Sequence, residues 1–181
     1  MLSTQRGFKK TPDKEISFQI EALEVSLLTS LIEQVIVLLT PQSSKENNDP
    51  LAKMVGIDST AKTPDDEVLL RLLPDAYQSD KQASAEFRRF TERSLRELKV
   101  KRANFVLENL PEPEQIISIK PKDFETWLTV LNDLRLALGV RAGITENNEE
   151  EISEDPETDH ARDIYSWLTW LQSNLLEEMS S

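Results

Sequence analysis

The stretch from Trp127 to Thr145 constrains this chain most: it is apolar on nearly every side of a helix, yet carries Asn132, Asp133 and Arg135 near its middle. A helix that is apolar all round has to be covered all round, which places it at the centre of a layered helical domain. Charge inside such a helix is costly unless it is paired. Asp133 cannot satisfy Arg135, because side chains at i and i+2 point apart. Each therefore needs a partner from another element. The expected structural polar network comprises Asp75, Arg89, Asn132, Asp133 and Arg135, with Asp133 paired to Arg88, Arg89 or a more distant arginine brought in by the fold, and the turn at Pro74 drawn in through Asp75. A ligand-binding polar pocket is the alternative for the same residues.

A second stripe follows near the C-terminus, where Ile164, Trp167, Leu168, Leu171 and Leu175 recur at helical spacing. We expect Trp127, Leu131, Leu134, Leu138, Trp167, Leu168 and Leu171 to share one core. Ile16, Phe18 and Ile20 instead alternate with polar residues, the period-2 pattern of a half-buried strand. The chain of 181 residues is long enough for one well-buried domain. It reads as mainly α: a single-domain helical bundle of about five helices with a small N-terminal β-hairpin.

Within that domain, 6–20 is the hairpin, 21–145 the helical core, 146–158 an acidic flexible linker and 159–179 the C-terminal helix. In the first helix, Leu23, Leu27, Leu31, Val35 and Leu38 form the expected stripe, with Leu28, Ile32 and Leu39 beside it, and Pro41 ends it. A loop-like region with an apolar patch at 51–57 follows. Pro64 is expected in the first turn of a short helix carrying Val68, Leu69, Leu72 and Leu73, and Pro74 stops that helix. Asp80 caps a long helix to about Leu110, whose expected buried face holds Phe87, Phe90, Leu98 and Phe105. The 116–119 segment fits a short strand or plain extended chain. Pro121 to Arg141 is the central helix, with Gly143 at its C-cap.

The net charge is −12, which repels nucleic acid at long range and argues against a general DNA or membrane-surface binder. The sequence has no cysteine, so disulfides, thiolate metal sites and cysteine nucleophiles are excluded. No signal-like or membrane-spanning apolar run stands out, so the default expectation is a cytoplasmic protein.

Several blocks resemble one actinobacterial family. They are Leu72-Leu-Pro-Asp-Ala-Tyr77, Glu86-Phe-Arg-Arg-Phe-Thr91 running on to Leu95-Arg96, Leu131-Asn-Asp-Leu-Arg-Leu-Ala-Leu-Gly139 and Trp167-Leu-Thr-Trp-Leu-Gln172, with Asp49-Pro50-Leu51-Ala52 and Gly56-Ile57 besides. In this order, over about residues 16 to 178, they are similar to the domain of unknown function 2017. The resemblance implies no enzymatic activity. It implies a stress-responsive regulator acting with a sigma factor, in which cysteines sense redox state. This chain departs from that pattern in having none, so thiol sensing does not carry over.

Residues 86 to 102 hold seven basic side chains and three acidic ones. On a helical wheel Arg88, Arg96, Lys99 and Arg102 share about a third of the circumference. They form the expected partner-binding stripe, clear of the phenylalanines, with Trp170 a further partner-binding candidate at the rim of its helix. The competing readings are a solvated face whose arginines pair with Glu92 and with the acidic linker, and a DNA contact through Arg88 and Arg89. Leu69 to Phe90 superficially resembles a helix-turn-helix, but the intervening turn is longer than usual. His160 is the lone histidine and does not make a zinc site. Glu149, Glu150 and Glu151 lack the glycine-centred spacing of a calcium loop, and no P-loop, Rossmann fingerprint or nucleophile elbow occurs.

The functional expectation is a non-enzymatic regulatory protein that binds a protein partner, such as a component of the transcription machinery. No catalytic residue, metal or cofactor is assigned, and homo-oligomers are allowed. The alternatives are a transcriptional regulator touching DNA or a sigma factor, and a hydrolase built on Asp75 and Asp133.

Overall fold

The computed structural model describes residues 6–40, 64–77, 79–145 and 155–181. The apolar patch at 51–57 and the acidic run at 146–154 lie outside the described residues. Strands β1 (Gly7–Lys10) and β2 (Ile16–Gln19) pair antiparallel with Phe8 opposite Phe18, the hairpin that the alternation predicts. Its turn closes through Thr11 N–H donating to the Glu15 carbonyl at 2.8 Å. The 116–119 segment supplies β3 (Ile117–Ile119), which pairs antiparallel with β2 and makes the order β1-β2-β3.

Five α-helices follow from the local signals among the described residues: α1 (Ala22–Leu39), α2 (Glu67–Leu72), α3 (Lys81–Glu108), α4 (Phe124–Arg141) and α5 (Pro156–Ser180). Asp66 caps α2 by accepting from Val68 and Leu69 N–H, so Pro64 precedes the helix rather than entering its first turn. Asp80 caps α3 in the same way, through Gln82 and Ala83. A 3-10 turn over Pro121–Asp123 leads into α4. Gly143 ends α4 at a φ of +62°, with Ile144 N–H donating to the Gly139 carbonyl at 2.8 Å. That six-to-one closure needs a left-handed residue, which glycine adopts without strain. The last helix begins at Pro156, earlier than expected. Asp155 accepts from Thr158 N–H and Pro156 fills the first turn, so 156–158 are helix rather than linker.

Helix α4 is the hub, packing on α5, α2, α3 and α1. Trp127, Leu131, Leu134, Leu168 and Leu171 are each at most 2% exposed, and Leu138 and Trp167 pack against them partly buried. The expected shared core is present. Each such side chain contributes roughly 1.5–3 kcal/mol of burial. Phe8 and Phe18 stack at 4.2 Å between ring centroids, and Trp127 meets both edge-on.

Helix α5 also covers the open edge of β1. Phe8 N–H donates to Asn174 Oδ1 and Lys10 N–H to Glu178 Oε2, both at 2.7 Å, which removes the hazard of an unpaired strand edge. Gly7 permits that approach: at a φ of +92°, a Cβ there would lie 2.6 Å from Asn174 Oδ1 and 2.9 Å from the Trp170 ring.

Helix α1 is rotated from the expected stripe. It buries Glu24, Leu28, Ile32, Val35 and Leu39, while Leu23 is 80% exposed. Glu24 takes the inward position because it closes the capping box with Glu21 and pairs with Arg6. Burial raises the Glu24 carboxyl, but the Arg6 hydrogen bond, the Glu21 N–H and the nearby Trp167 indole outweigh that and hold it below the usual range. By length and composition α1 is apolar enough to cross a membrane. In this fold it packs against α3 and α4 on one side, with Glu24 buried and paired to Arg6.

Candidate functional site

Helix α3 is turned opposite to expectation over its N-terminal half. Its buried residues are Ser84, Arg88, Ala103 and Val106. Phe87, Phe90 and Leu98 are 50%, 58% and 43% exposed, so the expected apolar burial of this set fails, and only Phe105 packs partly buried against the core. The cations meant to face outward lie on the inner side: the Arg88 side chain is 5% exposed, Arg96 13%, Lys99 14% and Arg102 29%. At about 100° per residue, Ala103 and Val106 share the arc of Arg88, Glu92 and Lys99, not that of the phenylalanines. The small apolar residues at the far end lie on the same side as these cations, so one arc of the helix faces inward along its length.

Those charges are matched one by one. Arg88 donates to Asp75 Oδ1 at 2.7 Å, to the Leu73 carbonyl at 3.1 Å and to Glu92 Oε2 at 2.7 Å. Glu92 also accepts from Arg96 at 2.8 Å, and Arg96 reaches the Leu39 carbonyl at the end of α1. Burial lowers the Arg88 pKa, but Asp75 and Glu92 outweigh it and raise it. Ser84 adds a two-point bracket, accepting from Tyr77 N–H at 3.0 Å and donating to the Tyr77 carbonyl at 2.7 Å. The turn after α2 is thereby fastened to α3, and Tyr77 lies edge-on to Phe87 at 6.3 Å.

Asp133 is 6% exposed and pairs with Lys99, which donates to both carboxylate oxygens at 2.7 and 2.9 Å. The expected partners Arg88 and Arg89 are displaced for a simple reason: Arg88 lies eleven residues before Lys99, about 16 Å away along the helix. Burial pushes the Asp133 carboxyl above its usual range despite Lys99 and Arg102. Asn132 accepts from Gln172 at 3.3 Å, and the Arg135 guanidinium sits 5.7 Å from the Tyr165 ring centroid. The single expected network is therefore several separate links. Asp75 joins α2 to α3, Asp133 joins α4 to α3, and Asn132 and Arg135 join α4 to α5. Asp75 and Asp133 bond to different cations on α3, and no shared carboxylate pair supports hydrolysis.

Arg88, fully enclosed by its acceptors, is not placed to reach a phosphate backbone, so a DNA contact through it is contradicted by its burial. Arg102 reaches Glu125 at 3.4 Å. Trp170 is 43% exposed, as expected at the rim of α5. No group of His, Asp and Glu side chains suited to a metal ion occurs among the described residues.

The outward surface of α3 is thus the unusual feature: Phe87, Phe90, Leu95 and Leu98 exposed, with Tyr77 against Phe87. Periodicity alone assigns it to the core. Ser84 was missed as an organiser, whereas the pairing of arginines with Glu92 was among the expected readings, since Arg88, Glu92 and Arg96 at i, i+4 and i+8 spell a charge ladder in the sequence.

The domain of unknown function DUF2017 matches residues 5–179. The chain belongs to that family. Its relatives include the AosR protein of Mycobacterium leprae (strain TN), 31% identical over 84% of this chain and 77% of the relative. The oxidative stress regulator AosR of Mycobacterium tuberculosis (strain ATCC 25618 / H37Rv) is 30% identical, with 84% of this chain and 77% of the relative covered. The same name and values hold for Mycobacterium bovis (strain ATCC BAA-935 / AF2122/97). No solved structure matches this DUF2017 chain.

Proposed function

We propose that this DUF2017 protein is a non-enzymatic, cytoplasmic regulator that works by binding a protein partner through the outward side of α3. One observation carries the reading: the helix spends buried, fully paired charge on its inner side while it leaves two phenylalanines and two leucines in water. Covering the part of each side chain that is still exposed would gain on the order of 1 kcal/mol each. Contiguous exposed apolar surface of this kind, rich in aromatics, marks an interaction site in a soluble protein. The regulator name of the relatives supports a regulatory role, and the resemblance points to the transcription machinery for the partner. A cysteine-free sequence has to respond to a signal by a route other than thiol oxidation.

Phe87→Ser with Phe90→Ser tests this. The double variant should stay folded at a cost of about 1–2 kcal/mol, since each ring is about half in water and Phe87 loses its contact with Tyr77. It should also lose the protein that the wild-type chain captures by crosslinking in its native lysate. Undiminished capture by a folded double variant overturns the assignment.

A further inference from the structure

We infer that the outward side of α3 is self-complementary and that, without another partner, it pairs antiparallel with a second copy of this chain. The inference rests on the binding role just proposed for α3 and names an occupant. At about 100° per residue, Phe87, Ser94 and Leu98 lie within a few tens of degrees of one another, with Phe90 and Thr91 flanking them on opposite sides. Consider a two-fold axis passing between residues 92 and 93. Phe87 then faces Leu98 of the second copy, while Phe90 and Leu95 lie level on opposite flanks and border the contact on its two sides. Thr91 and Ser94 meet at the centre, where their small size lets the helices approach.

Charge favours that direction. Glu86 and Lys101 are both exposed and lie on the same flank of the stripe. Antiparallel pairing brings Glu86 of each copy beside Lys101 of the other, twice over by symmetry. Parallel pairing would set each residue level with its own copy and form neither pair. The buried cations take no part, because Arg88, Arg96 and Lys99 are satisfied within the fold. The net charge of −12 repels two chains at long range, and the cross-pairs between Glu86 and Lys101 are the attraction that offsets it at contact. A contact of about sixteen helical residues buries on the order of 1,000 Å², the small end of specific interfaces. The dimer should therefore exchange readily and surrender the surface to a stronger binder.

The test is sedimentation velocity of the full chain across a dilution series. The wild type should dimerise reversibly, with a dissociation constant in roughly the micromolar to tens-of-micromolar range. Glu86→Lys alone places two lysines against each other at both ends of the interface, and Lys101→Glu alone places two glutamates there. Each variant should weaken its own dimer roughly tenfold. Mixed in equal amounts, the two variants form a heterodimer in which a lysine meets a glutamate at both ends, so mixing should restore dimerisation towards the wild-type level. The double variant Glu86→Lys/Lys101→Glu instead exchanges the charges within one chain, recreates both opposite-charge pairs in its own dimer, and should sediment as the wild type does.

A wild type that stays monomeric at several hundred micromolar overturns the inference. So does a dimer that both single variants leave unchanged, or a charge-exchanged double variant that is as weak as the singles. The binding role is judged separately. If no dimer forms but Phe87→Ser/Phe90→Ser still loses the captured protein, the surface serves a different chain, and only self-pairing is wrong. If the dimer behaves as described while the phenylalanine variant keeps the captured protein, self-pairing stands and the binding role falls.

Discussion

Arg88 on α3 and Asp133 on α4 are both charged and both almost completely buried, yet their surroundings differ. Arg88 meets three acceptors, two of them carboxylates, and its charged form is favoured over water. Asp133 has one bonded cation, Lys99, amid an apolar helix, and burial wins against it. A guanidinium can spread five donors over several acceptors, whereas a single ammonium facing a carboxylate leaves both partly desolvated. The comparison separates two uses of interior charge. Around Arg88 it replaces a hydrophobic core that the outward-turned phenylalanines do not supply; at Asp133 it is a single tie driven through a core already made of leucines.

The largest effect should come from breaking the tie. Asp133→Ala leaves the Lys99 ammonium buried without its carboxylate and should cost about 3–5 kcal/mol in urea unfolding. Asp133→Asn should cost less, because the amide oxygen still accepts one bond. Replacing both partners, Lys99→Met with Asp133→Leu, should recover most of the loss. A double variant as unstable as Asp133→Ala would show that the pair, not the unpaired remnant, carries the stability.

A smaller and more local effect is expected at Arg88. Arg88→Lys keeps the charge but cannot serve Asp75, Glu92 and the Leu73 carbonyl together, for a cost of about 1–3 kcal/mol. Amide exchange should rise in the turn after α2 and the first turns of α3, while Ala103 to Val106 stays protected. Equal loosening along all of α3 would contradict the division of the helix into two halves.

The smallest effect is the pH dependence, where the sign distinguishes the sites. The folded Asp133 carboxyl lies above its unfolded value, so its contribution is fully present below the unfolded value and is lost as pH rises through the raised folded one. The folded Glu24 carboxyl is lowered, so its contribution is present above the unfolded value and is lost as pH falls through the folded one. On acidification Asp133→Asn should therefore lose stability more steeply than wild type, and Glu24→Gln less steeply. Thermal unfolding between about pH 3 and 6 reads both slopes, and parallel curves for all three proteins would refute the assignment.

Much of the architecture was legible from residues near one another in sequence. Alternation marked the hairpin, Asp80 marked a helix start, Gly143 marked a stop, and the leucines around Trp127 and Trp167 marked the core. These signals act within one turn or one strand pair, so the chain determines them locally. The start of α5 was missed, although Asp155-Pro156 spells a cap followed by a first-turn proline.

The facing of α3 was not decided by its own pattern. Two arcs of that helix could each have been covered: one of phenylalanines, one of cations with small apolar residues. Which one turned inward depended on Asp75, Leu39 and Asp133 arriving from three other elements to meet Arg88, Arg96 and Lys99. The same holds for Glu24, whose inward position depends on Arg6 from the N-terminal arm. The sequence by itself determined where helices and strands begin, where they end and that α4 is central. Only the tertiary structure decided which charges lie inside and which aromatics face water, because a buried charge is tolerated only where distant residues bring its counter-charge.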